Sequence, residues 1–310
     1  EAINDSDDTL DRKSEAVANF AFPGLSEDKK SIAGYYGREG LNIIKSQLKT
    51  NAELLNKKIN SEIIKDKTLE GDTDLLYITE NQKTVSGKIL KLKYLKFFSM
   101  KFYKAIKKIS RLVYGQKGPK TAFIYSNLVK VGIELFREIL MQNGFLEYQE
   151  NKDDYIIMDD TICYFCGRPN KEHPVKDIKN DDSESSTEYE KTVRDKMEEH
   201  EFFPATFISV TGNTSEEALE VIPEDKQRIL KNVFSGIDNR HGKYIKLVLG
   251  SKVMNEGISL KNVSEVHVLD VYFNLGRVEQ VKGRAIRHCS HHKLMTEMNM
   301  YPKVNVYKYA

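Results

Sequence analysis

The sequence predicts an α/β domain built on a mostly parallel sheet flanked by helices, and three observations support this fold class. Two short runs, 245–249 and 265–270, are apolar and rich in β-branched residues, as buried strands are. Helical patterns alternate with such runs from residue 121 onward. The connections between them are short, and strands that alternate with helices in this way form parallel sheets.

The part of the chain that precedes the sheet is predicted to be a linker followed by helices. Residues 1–37 begin acidic and then become mixed in charge, so we expect a linker there. Residues 38–118 form a basic extension, with helices expected at about 38–65 and 88–114. The sheet domain is therefore expected to span 119–310.

The elements of the sheet domain follow from its apolar periodicity. The first strand is expected at 121–126, and the helix after it carries one apolar stripe and ends near Gly144. Residues 161–200 are polar and interrupt the alternation, so they are interpreted as an insertion. The remaining elements are expected as a strand at 207–210, a helix at 223–234, the two strands named above, a helix around 275–287 and a last strand at 304–309.

Length and composition limit the classes of protein that are possible. A chain of 310 residues is long enough for one good core with extensions. Its net charge of +2 does not by itself indicate a nucleic-acid partner. No apolar run is long enough to cross a bilayer, and no signal peptide is visible. Three cysteines are too few for a disulfide scaffold, which favours a reducing cytoplasmic setting.

The charge is nevertheless unevenly distributed. Between Lys83 and Lys120 there is no Asp or Glu, and aromatic residues are interleaved with the lysines, among them Tyr94, Phe97, Phe98, Phe102 and Tyr103. Such a stretch can follow a phosphate backbone, or it can be an amphipathic helix with its aromatics in the core and its lysines in solvent. We expect the aromatics to be buried and the lysines to face phosphates.

The segment from Gln280 to Arg287, QVKGRAIR, is the most informative in the chain. In a helix, Gln280, Arg284 and Arg287 fall on one face, while Val281 and Ala285 belong to a separate apolar stripe. Fixed arginine side chains suit the oxygens of a phosphoryl group during its transfer. An ordinary surface helix with solvated arginines is the alternative that spacing alone leaves open.

A glycine-containing loop lies just upstream, between the two predicted strands. Asn255-Glu-Gly-Ile-Ser-Leu260 places Gly257 and Ser259 at the carboxyl end of a strand. A glycine there lets backbone N–H groups approach a phosphate. The loop alone is weak evidence of a phosphate-binding site. The Q-x-x-G-R-x-x-R pattern that follows at this distance makes the evidence strong.

Together these segments resemble motifs V and VI of superfamily 2 helicases and translocases. The combination is similar to a narrower group, the helicase-type nucleoside triphosphatases of nucleo-cytoplasmic large DNA viruses, such as poxvirus nucleoside triphosphatase I and the early transcription factor small subunit. Thr121-Ala-Phe-Ile-Tyr-Ser-Asn127 resembles motif IV, and Thr211-Gly212 resembles the short motif IVa. The resemblance covers most of the chain and implies the second, C-terminal RecA-like lobe.

The resemblance also implies roles for individual residues. Arg284 and Arg287 would act as arginine fingers on the β- and γ-phosphates of ATP held with Mg²⁺, and Gln280 would orient an arginine or contact the attacking water. Coupling of the ATP site to the polymer is implied for Glu256, Gly257 and Gly283. Contacts to the phosphate backbone of a nucleic acid are implied for Ser126, Asn127, Thr211, Gly212 and Ser259.

The chain departs from the family in one important respect. It contains no G-x-x-x-x-G-K-[ST] and no D-E-x-[HD] box; Ser86-Gly-Lys88 lacks the other residues of the first pattern. These motifs hold the phosphates and the magnesium ion. We therefore expect the chain to be the C-terminal half of a longer enzyme and to be inactive as an ATPase without its N-terminal lobe.

Cysteines and histidines in the insertion predict a metal site. Cys163-Tyr-Phe-Cys166-Gly is a C-x-x-C knuckle, and His173 and His200 follow before the chain re-enters the sheet. These four residues can complete a tetrahedral Cys2His2 zinc site that closes the base of the insertion. Free thiols with incidental histidines are the alternative. Cys289 is expected to be a buried thiol rather than a ligand.

Three functional hypotheses follow. The chain belongs to a helicase that unwinds or translocates on nucleic acid, to a transcription-linked ATPase that moves on duplex DNA, or to a non-catalytic zinc-containing module that binds nucleic acid or protein. DNA is expected as the polymer rather than RNA, and viral RNA polymerase or transcription factors are expected partners. The viral resemblance implies the host cytoplasm, in viral factories, or the virion.

Overall fold

A six-stranded sheet forms the centre of the computed structural model, which describes residues 19–112, 120–173, 200–211, 222–255, 258–270, 275–286, 290–295 and 302–309. The ten strands, numbered in chain order, are β1 Phe22–Leu25, β2 Ile32–Tyr35, β3 Tyr77–Ile78, β4 Val85–Ser86, β5 Ala122–Tyr125, β6 Leu146–Glu147, β7 Thr206–Val210, β8 Leu247–Gly250, β9 Glu265–Val268 and β10 Asn305–Lys308. The α-helices are α1 Gly37–Lys58, α2 Leu92–Leu95, α3 Met100–Ile109, α4 Leu135–Gln142, α5 Glu224–Ile229 and α6 Leu275–Ala285. Among the described residues, no helix is both long and apolar enough to span a bilayer.

The central sheet is parallel throughout and has the strand order β10-β9-β5-β8-β7-β6. The strand β5 lies in the middle and pairs with β8 on one side and β9 on the other. Parallel pairing requires crossover helices, and these cover both faces of the sheet. The predicted α/β fold class, a mostly parallel sheet flanked by helices, is therefore confirmed.

Alternation along β5 divides the apolar core between the two faces. Ala122 and Ile124 join the core on one face, while Phe123 and Tyr125 join the core on the other. All four are at most 2% exposed. Because successive side chains of a strand point to opposite faces, a central strand buried on both sides reads as a continuous apolar run.

The helical extension packs on the first of these faces. The ring of Phe102 in α3 lies 5.4 Å from the ring of Phe136 in α4, and both are fully buried in the core that also contains Ile124. Ser99 caps α3, since its hydroxyl accepts the Phe102 N–H at 3.0 Å. The extension and the sheet thus share one apolar core.

The predicted linker is not a linker over its described part, 19–37. Strands β1 and β2 form an antiparallel hairpin there, and Phe20, Phe22 and Leu25 are at most 2% exposed. The Ala21 N–H donates to the Phe98 carbonyl at 2.9 Å, which ties the segment to the helical extension. The apolar residues Phe20, Phe22 and Leu25 follow the acidic first residues and are buried by tertiary contacts that the sequence pattern does not show.

Part of the acid-free basic stretch is paired with acids from elsewhere in the chain. Of its aromatic residues, Tyr94, Phe98 and Phe102 are buried as predicted, whereas Phe97 is 48% exposed. The expectation that the lysines face phosphates is wrong for several of them, because each has a partner: Lys83 with Glu134, Lys88 with Asp72 and Asp74, Lys91 with Asp160, Lys93 with Asp66, and Lys101 with Asn19. The exposed Lys104 and Lys107 on α3 stay candidates for such a surface.

The second face of the sheet is covered by the helices near the C-terminus. Leu230 and Phe234, in the π-helical turn that continues α5, are fully buried. Val281 and Ala285 of α6 are also buried in this core, as predicted. The side chains of Leu275 and Val278, the other residues of the predicted stripe, lie outside the described part of the chain.

A buried histidine makes the stability of this sheet sensitive to pH. His267 of β9 is fully buried between Glu265, 3.0 Å from Nε2, and the Tyr309 hydroxyl, 2.8 Å from Nδ1, with Lys108 and Tyr307 nearby. Burial lowers the pKa of His267 below its ordinary value, although Glu265 opposes the shift. The unfolded chain therefore takes up a proton near pH 6.5 that the folded chain does not.

We accordingly expect the free energy of unfolding to fall as the pH drops below about 6.5, by at most ~1.4 kcal/mol per pH unit from this residue. Urea unfolding at pH 7.5 and 5.5 measures the effect, and His267→Gln should reduce it. An equal pH dependence in His267→Gln would assign the effect to other groups.

Candidate functional site

Several predicted site residues follow the ends of the strands. Ser126 and Asn127 follow β5, Thr211 follows β7, and Asp270 lies two residues beyond β9. In parallel sheets the carboxyl ends of the strands share one edge, and ligands of open α/β sheets bind there. The last turn of α6 lies instead beside the segment that leads into β9, since the Arg284 carbonyl accepts the Leu260 N–H and the Asn262 carbonyl accepts the Thr121 hydroxyl ahead of β5.

Asp270 organises the loop after β5. The Ser126 hydroxyl donates to its Oδ1 at 2.8 Å, and the Asn127 backbone N–H donates to its Oδ2. Asp270 is 2% exposed and Ser126 is fully buried, so the Ser126 hydroxyl holds the loop in place. A contact from this loop to a ligand would come from Asn127, whose side-chain oxygen is buried without a hydrogen-bond partner among the described residues.

The glycine at position 132 allows this arrangement. A Cβ there would come within 2.2 Å of the Ser126 hydroxyl, so only glycine lets the following helical turn approach the loop. The sequence pattern predicted no role for Asp270 beyond its place in a strand. An acid that ends a buried apolar strand at the carboxyl edge was the signal that could have identified it.

The helix α6 presents two of the predicted residues from a fixed position. Gln280 is exposed and Arg284 is partly buried, one helical turn apart, while Val281 and Ala285 anchor the helix. The Leu260 N–H donates to the Arg284 carbonyl at 2.9 Å, which joins the helix to the loop that carries Ser259. Ser259 and Thr211 are both partly buried. Four predicted site residues, Gly212, Glu256, Gly257 and Arg287, lie outside the described residues.

His291 has a structural place behind α6. Its Nε2 donates to the Val263 carbonyl at 2.6 Å, which leaves Nδ1 to accept from the Ser290 hydroxyl at 2.7 Å. With both nitrogens used in this way, His291 fixes the end of the segment after α6. Its neighbours His288 and Cys289 lie outside the described residues.

The four predicted metal ligands come together at a second place. The ligand atoms of Cys163, Cys166, His173 and His200 all lie within 4.8 Å of one another. The Nε2 atoms of the two histidines are 3.1 Å apart, and Cys163 Sγ is 3.4 Å from His200 Nε2. Both cysteines are at most 1% exposed. The described residues thus form a compact set of two sulfur and two nitrogen donors.

These separations match the geometry of a tetrahedral zinc ion. With Zn–N near 2.0–2.1 Å and Zn–S near 2.3 Å, two nitrogens are about 3.3 Å apart, and a sulfur and a nitrogen about 3.6 Å. Two facing imidazole nitrogens at 3.1 Å repel each other unless a proton or a metal ion lies between them. The donor set therefore fits zinc in number, type and spacing.

Local backbone geometry forms the knuckle. The Cys163 N–H donates to the Arg168 carbonyl at 2.9 Å, and the Gly167 N–H returns to the Cys163 carbonyl at 3.0 Å. Gly167 has φ +69°, a conformation that favours glycine. Bridges of Ile162 with Pro169 and of Cys163 with Pro204 attach the knuckle to the chain just before β7. The cluster therefore lies toward the amino ends of the strands.

The environment of Cys163 favours the charged form that binds metals. The hydrogen bond from Cys166 lowers the pKa of Cys163 well below its ordinary value, against the opposing effect of burial, whereas the same hydrogen bond and burial raise the pKa of Cys166. The buried Lys246 amino group donates to the carbonyls of Lys120 and His241. Burial lowers the pKa of Lys246 to about 7, although the Cys163 thiolate opposes this shift.

Comparison with known proteins shows that the chain is similar to proteins of large DNA viruses that are named helicases. Residues 187–289 match the family described as helicase conserved C-terminal domain. The chain is 50% identical over 310 residues to "Putative ATP-dependent RNA helicase" of Acanthamoeba polyphaga mimivirus, a match that covers 99% of this chain and 26% of that relative. A second mimivirus protein with such a name is 44% identical over 80 residues, 26% of this chain and 13% of its own length.

A protein of African swine fever virus is also similar. It is named "Early transcription factor large subunit homolog" and is 26% identical over 201 residues, 64% of this chain and 14% of that protein. The name of this relative refers to the large subunit of the early transcription factor, whereas the resemblance of motifs V and VI suggested the small subunit. The chain spans about a quarter of the length of its mimivirus relative.

Proposed function

We propose that this chain is the second RecA-like lobe of a longer nucleic-acid-dependent ATPase, a helicase C-terminal lobe of the kind found in large DNA viruses; its similarity to the helicase conserved C-terminal domain and to viral proteins supports this. The observation that supports this most directly is the position of α6. Gln280 and Arg284 lie one turn apart on a helix that the buried Val281 and Ala285 anchor against the sheet, and neither side chain is fully buried. A helix fixed in this way can present both side chains to a nucleotide held by a first lobe.

In the proposed mechanism, the lobe supplies positive charge to the phosphates of ATP. Arg284 and Arg287 contact the β- and γ-phosphates, where charge changes during transfer, so their contacts strengthen in the transition state. Gln280 orients an arginine or the attacking water. The first lobe holds most of the nucleotide and the magnesium ion, and this chain alone is inactive.

The loops at the carboxyl edge contact the polymer in this proposal. Asn127, Thr211, Gly212 and Ser259 bind phosphates through side chains or main chain without reading the bases, which suits a motor that moves along any sequence. Ser126 acts through Asp270, which fixes the loop. Glu256, Gly257 and Gly283 link the polymer contacts to the ATP site.

The proposed zinc ion has a structural role. Its four ligands would be Cys163, Cys166, His173 and His200, and a zinc ion there would close the base of the insertion before β7. No ligand belongs to the carboxyl edge, so the zinc ion takes no part in the hydrolysis.

The experiment that tests the function is ATP hydrolysis by the two-lobe protein without polymer and with single-stranded DNA, duplex DNA and RNA. Stimulation by one polymer would identify the track; we expect DNA, although the names of the mimivirus relatives refer to RNA. Strand separation of a labelled duplex distinguishes unwinding from translocation alone. The names of the relatives also support action in viral transcription, in viral factories or the virion, beside polymerase or transcription factors.

A zinc-containing binding module without catalysis is the second candidate. The 310 residues contain no G-x-x-x-x-G-K-[ST] pattern, which is consistent with this second candidate. Hydrolysis under none of the four conditions would support this module and contradict the motor.

Gly283 offers a test that separates the stability of the lobe from its function. A Cβ at Gly283 would meet no atom within 4 Å, so the lobe itself has room for alanine. We expect Gly283→Ala to stabilise the chain by about 0.5–1 kcal/mol, since alanine is the better helix former. If nucleotide or the first lobe occupies that space, the same change lowers ATP hydrolysis in the two-lobe protein. Urea unfolding and ATPase rates measure the two effects, and unchanged hydrolysis would remove Gly283 from the proposed site.

A further inference from the structure

The helix α3 carries a row of basic side chains on the side that faces away from the core. Its inner side consists of residues that are fully buried on the first face of the sheet: Phe102, Ala105, Ile106 and Ile109. The basic residues lie on α3 and in the turn that follows it: Lys104, Lys107, Lys108 and Arg111. Lys108 is partly buried and the other three are exposed. Their spacings of three and four residues place them on one face of a helix.

The edge strand β10 lies beside this row. Lys108 Nζ is 3.9 Å from the ring centroid of Tyr307 in β10, and Arg111 acts electrostatically on the Tyr307 hydroxyl. Lys107 Nζ lies 5.6 Å from the ring centroid of Tyr103, one turn earlier on α3. An ammonium group within about 6 Å of an aromatic ring is attracted to it. The two tyrosines therefore hold two of the lysines in position.

The four basic side chains have no carboxylate partner within the part of the chain that the structure describes. None of them forms an ion pair there. Neither 91–120 nor 298–310 contains an Asp or Glu. Glu265 of β9 also acts on the Tyr307 hydroxyl, but its carboxylate lies 3.0 Å from His267 Nε2 and the residue is 9% exposed. Lys88 and Lys93, earlier in the same acid-free stretch, do contact carboxylates.

This arrangement of like charges is unfavourable for the helix itself. Lys104 and Lys108 are four residues apart, and so are Lys107 and Arg111, and like charges at this spacing repel each other on a helix. Lys58, by contrast, meets Glu62 at the same spacing. Binding of a polyanion would relieve the repulsion on α3, because its phosphates would supply the missing negative charge.

We propose that the α3–β10 surface binds the phosphate backbone of a nucleic acid. The surface consists of six residues: Tyr103, Lys104, Lys107, Lys108, Arg111 and Tyr307. At 1.5 Å per residue the row from Lys104 to Arg111 is about 10 Å long, or about three phosphate spacings of ~3.4 Å along one strand of duplex DNA. The tyrosine rings position lysines instead of stacking on bases, so the surface accepts any sequence.

This surface is separate from the polymer contacts proposed above. The helix α3 packs on the first face of the sheet, whereas Val281 and Ala285 of α6 are buried on the second face. It also does not include the loops after β5 and β7. The inference rests on the proposed function only in that the polyanion is a nucleic acid. A second contact of this kind would keep the polymer bound while the loops release it between steps.

The test measures binding of the two-lobe protein, without nucleotide, to fluorescein-labelled single-stranded and duplex oligonucleotides over a range of salt concentrations. The triple change Lys104→Gln, Lys107→Gln and Arg111→Gln should weaken binding at least about tenfold. The slope of log K against log salt should decrease in magnitude by about 2 to 3, since each lost phosphate contact removes ~0.7–0.9. The Tm of the variant should rise by roughly 1–2 °C, because repulsion along α3 is relieved.

A matched control removes the same charges from another helix. Arg38→Gln with Lys49→Gln and Lys57→Gln changes one arginine and two lysines at exposed positions of α1, and the salt slope should stay that of the unchanged protein. A loss with either oligonucleotide supports the proposal and identifies the form of the polymer. An unchanged affinity in the α3 variant, or an equal loss in the α1 control, would overturn it.

Two further measurements separate this proposal from its alternatives. If poly-glutamate binds as tightly as the oligonucleotides and loses affinity in the same variant, the partner is an acidic polypeptide and the proposal is overturned. ATP hydrolysis by the unchanged protein tests the motor independently. A protein that binds nucleic acid through the α3–β10 surface but hydrolyses no ATP would contradict the motor and support this surface.

Discussion

Replacement of Arg284 by alanine is expected to abolish ATP hydrolysis by the two-lobe protein while leaving its binding to nucleic acid largely intact. An arginine that stabilises the charge of the transferring phosphoryl group accounts for about 10³-fold or more in kcat, or roughly 4 kcal/mol of the activation barrier. Arg284 is partly buried beside the residues that anchor α6 and does not belong to the apolar core, so its side chain can be removed without opening that core. Initial rates with saturating polymer, and anisotropy of a labelled polymer, measure the two properties.

Two further variants control this experiment. Arg240→Ala removes an exposed arginine that contacts His241 and belongs to no proposed site, and it should hydrolyse ATP at the normal rate. Arg284→Lys keeps the charge but loses the planar fork, so its rate should stay far below that of the unchanged protein. Loss of polymer binding together with hydrolysis in a folded Arg284→Ala protein would contradict the assigned role.

Replacement of Cys163 by serine is expected to remove a zinc ion and to destabilise the chain substantially. The unchanged chain should contain one zinc per molecule by mass spectrometry, because two sulfur and two nitrogen donors lie within 4.8 Å of one another. Loss of a structural metal is among the few single changes that cost on the order of 4 kcal/mol or more. A decrease of roughly 10 °C in Tm is then expected. Removal of the metal with a chelator should produce a similar decrease in the unchanged chain.

The third cysteine provides the matched control. Cys289→Ser changes the same chemical group at a position that was not predicted to be a ligand, and the zinc content should stay at one per chain. His200→Ala removes the ligand at the end of the insertion and should weaken zinc binding. A metal-free unchanged chain whose Tm does not respond to chelator would exclude the structural zinc ion.

The largest part of the fold could be predicted because its signals are local. Apolar β-branched runs predicted β5, β7, β8 and β9, and helical periodicity predicted α1 and α6, since side-chain period depends on the backbone of one element alone. The two faces of α6, with Val281 inward and Gln280 outward, followed from the same period. The two-residue strands β3, β4 and β6 are too short to carry any such pattern.

The pairing of charges depended on contacts that no local pattern contains. The acid-free run from Lys83 to Lys120 indicated a phosphate-facing surface, yet Lys88 and Lys93 meet carboxylates from the preceding loop, and Lys101 is buried against Asn19. A lysine that has no acidic neighbour in the sequence can still contact an acid in the folded chain. The electrostatic potential of a surface therefore depends on the folded structure.

The sequence by itself determined the fold class, the face of α6 and the residues of the metal cluster, because residue type and spacing specify them. Only the tertiary structure brought His173 and His200 to 3.1 Å across the insertion and set Asp270 against Ser126 and Asn127. It also turned the predicted linker into the hairpin of β1 and β2 beneath the helical extension. Each of these contacts joins residues distant in sequence, and their burial and geometry arise only when the sheet and its helices pack together.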